Sequence, residues 1–362
     1  METKQAFLLA TALVLIAGAI FYLEAAKPKI PALPSAVPVS NAPSDNGVDF
    51  SVYPKAPELT GIAGYINAPP NLTIASLRRH VVLVDFWTYT CNNCIRTLPY
   101  MNSWNEKYSK DGLVIIGVHS PEFDFEKDYG NVLSAVNQYG IKYPVVLDSD
   151  HATWNAYQNQ YWPRHYLIDG NGRVRFDHIG EGGYDETEAQ IVQLLSEEKK
   201  TPIPMNTTQA DAPSVDFGKI TTPEIYFGYS FRRAFLGNYN PLLEGDELDV
   251  SIPMGQLAEN TPYLEGKWKN FADSVVLTSL KGAIEIVFTA KNVNIVAGSE
   301  NSTALALTLD GKTVNCVDFA SGTCAVSGKR LYSLVNLPDY GVHRLRIDAQ
   351  GAGLQLFTFT FG

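Results

Sequence analysis

The sequence predicts a two-domain protein, in which an α/β domain with a mixed sheet precedes an all-β domain and both follow a transmembrane helix. Three observations lead to this prediction. Apolar strands alternate with helical segments over residues 51–200, strands dominate residues 215–362, and an uncharged apolar run of 18 residues occupies positions 6–23. A chain of 362 residues is also too long for one ordinary domain.

The composition describes a folded protein and excludes one class of partner. Hydrophobic residues make up 45% of the chain, with 19 Tyr and 17 Phe, which is sufficient to fill two cores. The net charge is −10, and no long run of Lys and Arg occurs. Nucleic acid is therefore not an expected partner, because it would require a basic face.

The N-terminal apolar run has the length of a membrane span. As a helix, residues 6–23 would extend over about 27 Å, and the hydrocarbon layer of a bilayer is about 30 Å thick. We therefore expect residues 1–26 to be an uncleaved single-span anchor. The alternative is a signal peptide cleaved near Ala25, although the apolar region of such peptides is usually about 7–15 residues long. In both cases the rest of the chain faces across a membrane.

Two polar segments predict the domain boundaries. Residues 27–50 contain a proline every few positions and no hydrophobic period, which indicates an extended, semi-rigid linker. Residues 201–214 are rich in Pro, Thr and Asn and predict a second linker. The folded domains are accordingly expected at residues 51–200 and 215–362.

Strands and helices alternate in the first domain. Short apolar runs predict buried strands at 81–87, 113–120, 143–148 and 165–169. Helical patterns occupy residues 92–109, 126–139 and 151–158. Pro99 is expected to kink the first helix, and a last helix is expected to begin at an Asp185 N-cap, with Glu188 at the capping-box position. Gly170-Asn171-Gly172 predicts a hairpin turn.

A pair of cysteines follows the first buried strand. The segment LVDFWTYTCNNC places Cys91 and Cys94 where a helix begins, and Asp85 lies in the strand before them. A thiol reacts as the thiolate, and a helix N-terminus favours negative charge. Two thiols on one helical turn can also close and reopen a disulfide. The spacing therefore predicts two-electron thiol–disulfide exchange.

The cysteine pair has three other interpretations. Structural zinc requires four ligands, and no second close Cys or His pair accompanies this one. A purely structural disulfide is disfavoured because a bridge across two intervening residues is tight and labile. A peroxidatic site would use Thr88, three residues before Cys91, but it would leave Cys94 without a function.

The motifs resemble those of the thioredoxin fold. FWTYTCNNCIRTLPY, GVHSPEF and YWPRHYLID are most similar to the TlpA/ResA branch, and the whole of residues 55–362 is similar to DipZ-type thiol:disulfide interchange proteins. Proteins of that type carry a multi-span, electron-transferring membrane domain, whereas a single span is predicted here. The resemblance therefore implies electrons from a separate membrane donor of the CcdA type.

The resemblance also implies a role for each matching residue. Cys91 would be the nucleophile that forms the mixed disulfide, and Cys94 the resolving thiol that releases it. Asp85 matches the buried carboxylate that would accept the proton of Cys94. Pro163 would follow a cis peptide bond, and Trp162 would offer backbone groups to an extended substrate.

Three further residues are assigned positions near the dithiol. Trp87 is expected to pack beside the cysteines and to contribute to substrate binding. His119 and Glu122 match a loop that the family keeps near the site. No cofactor and no metal are expected.

The second domain is expected to be a β-sandwich of the jelly-roll type. Apolar and polar residues alternate in AIEIVF and HRLRI, and turn signals recur at near-regular spacing. The corresponding segment of DipZ-type proteins resembles a carbohydrate-binding module. Exposed Tyr263 and Trp268 would then stack on a sugar, while docking of a protein partner is the alternative.

Cys316 and Cys324 are expected to form a disulfide in this domain. Closing a loop of this size would stabilise the fold by about 2–3 kcal/mol on the chain-entropy model. Such a bond persists only in an oxidising compartment, so both folded domains are expected outside the cell membrane.

The predicted function is that of an extracytoplasmic, membrane-tethered oxidoreductase. It would act on disulfides of exported proteins, in the reducing direction, with cytochrome c maturation as a family-level expectation. The alternatives are a dithiol copper carrier, a thiol peroxidase and a binding scaffold whose β-domain is the functional half. Asn92 and Asn93 between the cysteines leave the direction of electron flow open.

Overall fold

The computed structural model describes most of the chain beyond the N-terminal region. The described residues are 52–205, 207–210, 215–241, 243–319 and 324–362, and they belong to one compact unit, Val48–Gly362. Within these ranges no helix is both long enough and apolar enough to cross a bilayer. The predicted span at residues 6–23 and the linker at 27–50 lie outside the described residues.

The first domain is built on a mixed sheet of six strands. They are β1 (Gly64–Ile66), β2 (Val81–Trp87), β3 (Leu113–His119), β4 (Val145–Leu147), β5 (Arg164–Ile168) and β6 (Val174–Ile179). Their order across the sheet is β1-β4-β3-β2-β5-β6. β2, β3 and β4 are parallel, while β1, β5 and β6 run antiparallel to their neighbours. The predicted α/β class is confirmed.

Four α-helices cover this sheet. They are α1 (Asn92–Tyr108), α2 (Tyr129–Gln138), α3 (Ala152–Ala156) and α4 (Tyr184–Lys199). α1 continues through Pro99. The predicted N-cap at Asp185 is wrong, because Gly183 caps α4 at φ 57° and Asp185 lies in the first turn. A glycine adopts this backbone conformation without steric cost, which allows the helix to begin two residues earlier.

β2 carries the residues that lead to the dithiol, and it is buried along its whole length. Successive side chains on a strand point to opposite faces of the sheet. Leu83 and Trp87 belong to a core cluster with residues of α1, α2 and α4, whereas Phe86 packs with Trp154 of α3. Asp85 therefore lies on the α1 face, the face that also carries the cysteines.

The second domain is a large β-sheet domain. Its strands are β7 (Ile225–Tyr226), β8 (Glu247–Val250), β9 (Tyr263–Asn270), β10 (Val275–Leu277), β11 (Lys281–Gly298), β12 (Thr303–Leu309), β13 (Lys312–Val314), β14 (Cys324–Val326), β15 (Arg330–Gln350) and β16 (Gln355–Phe361). The main path is β13-β12-β15-β11-β16-β10-β9-β8, with β14 on β12 and β7 on β16.

One long strand replaces two predicted strands. AIEIVFTA and NVNIVAGS are both part of β11, which pairs with β15 through register shifts at Ala290/Asn292 and Val293/Asn294. β11 also pairs with β9 and with β16, and β10 joins those two, so four strands form a closed circuit. Bulges absorb the polar residues that resembled a turn in the sequence. The jelly-roll connectivity stays a prediction.

The expectation that Trp268 is exposed is wrong. Its side chain is fully buried, and its indole N–H donates to the Glu265 carbonyl at 2.9 Å. Alternation along β9 directs Trp268 and Leu264 into the same core cluster. Tyr263 is half-buried. Stacking of a sugar on Trp268 is therefore excluded.

The disulfide between Cys316 and Cys324 is confirmed. Both cysteines are buried and belong to the core of the second domain. The bond closes a segment of the chain whose residues 320–323 are not described.

Aromatic residues join the two domains. Phe123 and Phe125, in the loop after β3, lie 5.1 Å and 4.8 Å from the ring of Phe357 in β16. Phe231 lies 5.8 Å from Phe123, and Tyr226 belongs to the same buried cluster. This packing holds the second domain against the loop that borders the cysteines.

Candidate active site

The two cysteines lie at the start of α1. Cys91 is the N-cap residue, its Sγ accepts a hydrogen bond from the Cys94 backbone N–H at 3.2 Å, and neither thiol is in a disulfide. The turn between β2 and α1 is closed by the Cys91 N–H, which donates to the Thr88 carbonyl at 3.3 Å. The positive end of the helix dipole therefore faces Cys91 Sγ, a setting that is typical of reactive cysteines.

The two thiols have different surroundings. Cys91 is half-buried, whereas Cys94 is 1% exposed. Burial raises the pKa of the Cys94 thiol well above its ordinary value, and the hydrogen bond and charge of Cys91 raise it further. Cys94 therefore remains protonated in the resting protein, and Cys91 is the thiol that a substrate can reach.

Asp85 contacts a histidine that the sequence did not indicate. Asp85 Oδ1 lies 3.2 Å from His165 Nε2, and both side chains are buried. The two residues are directly opposite in the β2–β5 pairing, and His178 is opposite His165 on β6. The imidazole rings of His165 and His178 are 6.1 Å apart. His178 is half-buried. Asp85, His165 and His178 therefore form a row that leads from the buried carboxylate toward the surface.

A second buried carboxylate holds the loops beside Cys91 together. Glu126 accepts hydrogen bonds from Thr90 Oγ1 at 2.5 Å and from the backbone N–H groups of Glu122 and Phe123 at 2.6 Å and 2.9 Å. Burial raises the pKa of Glu126, while these hydrogen bonds oppose the rise. Sequence reasoning missed Glu126, because Thr90 lies 36 positions away and becomes its neighbour only in the folded chain.

His119 and Trp87 lie beneath the turn that carries Cys91. His119 Nε2 is 3.3 Å from Thr88 Oγ1, and its ring stacks on Tyr89 and meets Trp87 edge-on. Burial lowers the pKa of His119 to about 3, so the imidazole is neutral at physiological pH. Both predicted residues therefore support the turn from within the core.

The loop before β5 lies across from the cysteines. The Trp162–Pro163 peptide bond is cis, as expected. The Trp162 indole N–H donates to the Ser120 carbonyl at 3.0 Å, and the indole packs on Trp154 at a centroid distance of 4.2 Å. Trp162 and Cys91 line the same cleft.

This cleft has walls from both domains. Its volume is about 460 Å³, and it is lined by Cys91, Glu122 and Trp162 on one side and by residues of the second domain, including Tyr226 and Phe217, on the other. Clefts of about 300–1,000 Å³ are typical of sites for small ligands. A group that reaches Cys91 through the cleft therefore contacts both domains.

Glu122 joins the two walls. The Tyr226 hydroxyl donates to Glu122 Oε1 at 2.6 Å and also approaches Glu224 Oε2 at 3.2 Å. Burial raises the pKa of Glu122 to about 8, and the nearby Glu224 charge adds to the rise while Arg233 opposes it. Of the predicted loop pair, Glu122 lines the cleft with Cys91 and His119 does not.

The described part of the chain holds no cluster of three or more His, Cys, Asp or Glu side chains that suits a metal ion. The predictions that the site uses no metal and no cofactor stay predictions.

Comparison with known proteins supports the same chemistry. Residues 54–195 match the Redoxin family, and residues 222–362 match the family described as thioredoxin-like C-terminal domain. The thiol-disulfide oxidoreductase YkuV of Bacillus subtilis is 31% identical over 39% of this chain and 94% of its own length. The thiol-disulfide oxidoreductase ResA of Bacillus thuringiensis is 31% identical over 34% of this chain and 68% of its own length.

One relative is similar over both domains. Protein DipZ of Mycobacterium bovis is 37% identical over 324 residues, which is 88% of this chain. The chain spans 44% of the length of DipZ. The resemblance inferred from the dithiol motif is thus confirmed.

Proposed function

Because the chain belongs to the thioredoxin-like thiol-disulfide oxidoreductases, we propose that it exchanges electrons with protein disulfides through Cys91 and Cys94. The observation that carries this proposal is the asymmetry of the two thiols. Cys91 lies half-buried at a helix N-terminus in a cleft, and Cys94 lies buried one turn away. This arrangement suits a nucleophile and a resolving thiol.

The exchange proceeds in two steps. The Cys91 thiolate attacks one sulfur of the substrate disulfide, which forms a mixed disulfide and releases the first substrate thiolate, and that thiolate takes a proton from solvent. Cys94 then loses its proton and attacks Cys91 Sγ. The second substrate thiolate leaves and is protonated, and the Cys91–Cys94 disulfide forms. Two electrons have passed from the dithiol to the substrate.

Asp85 is the proposed acceptor of the Cys94 proton. The raised pKa of Cys94 makes a base necessary for the second step. Asp85 lies on the face of the sheet that α1 covers, and its charge contributes to the Cys94 shift, so the two groups interact. His165 contacts Asp85 and is the proposed positioning residue that sets the orientation of the carboxylate.

The proposed direction is reduction of the substrate. Strongly oxidising dithiols owe their potential to a reduced form that is stabilised. Burial raises the pKa of Cys94, so ionisation of this thiol adds no stability to the reduced form, and the measured potential of the pair decides the direction.

The redox potential of the Cys91–Cys94 couple tests the direction. Thioredoxin-like reductants lie near about −270 mV and strong oxidants near about −120 mV, which corresponds to roughly 7 kcal/mol. Equilibration of the full chain with glutathione buffers, followed by thiol alkylation and mass spectrometry, gives the value. We expect a potential near the reducing end, and a value near the oxidising end would overturn the reducing assignment.

We also propose an extracytoplasmic location with residues 6–23 as the anchor. The Cys316–Cys324 disulfide supports this proposal, because such bonds persist in oxidising compartments. A separate membrane protein of the CcdA type would then supply the electrons. Protease treatment of intact cells tests the location. We expect the protease to degrade the folded domains, and we expect the untreated chain to be recovered in the membrane fraction. Full protection from the protease would contradict the proposed location.

Cytochrome c maturation is the proposed client pathway. A peptide that contains the Cys-x-x-Cys-His haem-attachment motif in its disulfide form is the direct probe. We expect faster reduction of this peptide than of a Cys-x-x-Cys-Ala control. Equal rates would leave the oxidoreductase assignment intact and remove this client.

A further inference from the structure

The second domain forms one wall of the cleft above Cys91. The Tyr226–Glu122 hydrogen bond crosses the two walls, and the Phe123–Phe357 contact lies behind it. On the other side of the dithiol, the end of β16 reaches α1, where Gly362 lies close to the guanidinium of Arg96. The β-domain therefore borders the active-site helix as well as the neighbouring loop.

Buried charge holds the α1 side of this arrangement in place. Arg96 is the fifth residue of α1, and its Nε lies 2.7 Å from Glu181 Oε2, with both side chains less than 10% exposed. A second Arg96 nitrogen donates to Asn93 Oδ1 at 2.7 Å. A paired, buried arginine of this kind resists displacement, because separation would leave a charge uncompensated. Arg96 therefore holds the side chain of Asn93, which lines the cleft, in place.

Exposed aromatic side chains stand on both walls. Tyr161, next to the cis-proline loop, is 48% exposed, and Phe217 of the second domain is 52% exposed. Both line the cleft that contains Cys91. Aromatic residues in this position are characteristic of recognition sites, because they supply a large contact area with little loss of side-chain entropy.

Charge contributes little net attraction in the cleft. Glu122 has its pKa raised to about 8 and is therefore mostly neutral at pH 7. Glu224 and Arg233 are the remaining charged groups of the lining, and they have opposite signs. The guanidinium of Arg233 lies 4.9 Å from the centre of the Tyr226 ring. Net charge therefore does not select the ligand of this cleft, and the exposed rings of Tyr161 and Phe217 are its most distinctive contacts.

We propose that the β-domain is the specificity-determining half of the substrate site. The cleft selects an extended polypeptide segment with an aromatic or large aliphatic side chain next to its disulfide cysteine, and this side chain lies between Tyr161 and Phe217. A volume of about 460 Å³ admits a few residues of an extended chain and excludes a broad folded surface. This inference rests on the proposed exchange activity of Cys91.

The test compares three probes on the full chain. They are a short peptide with an internal disulfide and Phe beside the cysteine, the same peptide with Ser in place of Phe, and oxidised glutathione. The variants are Tyr161→Ala and Phe217→Ala. The matched control is Phe235→Ala, because Phe235 is 80% exposed in the same domain and does not line the cleft.

We expect the unaltered protein to favour the Phe peptide over the Ser peptide. Each cleft variant should lower kcat/KM for the Phe peptide by about tenfold, as for a typical hot-spot residue. Exchange with the Ser peptide and with oxidised glutathione should fall less than exchange with the Phe peptide, since neither places an aromatic side chain between Tyr161 and Phe217. Phe235→Ala should behave like the unaltered protein with all probes.

Two contrary outcomes are distinguishable. The specificity inference alone would be overturned if the protein exchanges normally with glutathione but reduces the two peptides at equal rates. The same holds if the cleft variants keep full activity with the Phe peptide. Failure of the unaltered, reduced protein to exchange with any probe would overturn the proposed function and this inference together. Because the substituted side chains are exposed, thermal unfolding should be the same in all variants, and circular dichroism checks this.

Discussion

The protein contains two cysteine pairs in very different surroundings. Cys91 and Cys94 are free, with one thiol half-buried at the start of a helix. Cys316 and Cys324 are joined, and both belong to the core of the β-domain. Eight positions separate the second pair, whereas three separate the first.

The difference shows what makes a cysteine pair reactive. A thiol needs access to substrate and a setting that favours the thiolate, and the N-cap position of Cys91 meets both needs. A disulfide in a β-core meets neither, because the surrounding strands exclude any attacking thiol. The same residue type therefore serves exchange in one domain and cross-linking in the other.

The largest expected effect follows from removing the exposed thiol. Cys91→Ser should reduce exchange with any disulfide to the uncatalysed background, because no other described thiol is both free and accessible. Cys94→Ser should instead trap a mixed disulfide on Cys91. Stopped-flow absorbance with a chromogenic disulfide measures the rate of exchange. Non-reducing electrophoresis detects the mixed disulfide. Activity retained by Cys91→Ser would show that the assignment of the nucleophile is wrong.

Removal of the structural bridge should affect stability and leave exchange unchanged. The Cys316→Ala/Cys324→Ala variant should lose about 2–3 kcal/mol in free energy of unfolding, because its unfolded chain regains the entropy that the bridge removes. Urea unfolding monitored by circular dichroism measures the loss. The rate of exchange of this variant with oxidised glutathione should equal that of the unaltered protein. A lowered rate in the folded variant would mean that the two pairs are functionally linked.

A smaller effect is expected at the partner of Asp85. His165→Gln should slow the second step of exchange by about tenfold at pH 7, less than the factor of roughly 100 or more that loss of a general base itself costs. The first step, attack by Cys91, should be unaffected. Single-turnover kinetics across pH 5–9 separate the two steps, and a displaced pH profile of the second step would identify positioning.

The matched control is His119→Gln. His119 is also a buried histidine on the same sheet, and its contacts are with Thr88, Trp87 and Tyr89. This variant should leave the pH profile in place even if it is less stable. Identical profiles for both variants would remove His165 from the mechanism.

The smallest effect concerns the acid between the domains. The pKa of Glu122 is raised from 4.5 to about 8 in the folded protein, so the folded state binds more protons than the unfolded state between these values. Its contribution to stability is therefore lost as the pH rises from 4.5 to 8. Glu122→Gln stays neutral and should flatten this part of the stability curve.

Thermal unfolding at pH 5 and pH 8 measures the effect. The Tm of Glu122→Gln, compared with that of the unaltered protein, should therefore be higher by several degrees at pH 8 than at pH 5. Glu300→Gln is the control, since Glu300 is an exposed glutamate in the same unit. An equal shift at both pH values would show that Glu122 ionises normally.

Local patterns predicted the centre of the first domain well. The buried run at β2 and the CxxC spacing identify a strand followed by a helix, because both depend on neighbouring residues in the chain. The merging of two predicted strands into β11 could not be predicted, since Asn292 is polar and resembles a turn. Only the long pairing with β15, whose register shifts at this point, keeps Asn292 within one strand.

The partners of the site residues depend on tertiary contacts. His165 becomes the neighbour of Asp85 through the β2–β5 register, and Glu126 meets Thr90 across 36 positions of the chain. The burial of Trp268 could not be predicted, because alternation identifies the two faces of a strand without telling which face is covered. A sequence pattern therefore predicts the reactive residues of the site more readily than the residues that contact and position them.

Glu126 links two loops at the centre of the protein. Its carboxylate binds Thr90, just before Cys91, and also the backbone of Glu122 and Phe123, which carry the contacts to the β-domain. Rupture of this carboxylate's bonds releases both loops, so they belong to one cooperative opening unit. Amide protons of the two loops should then exchange with heavy water at a common rate. The buried thiol of Cys94 should become accessible at the same rate.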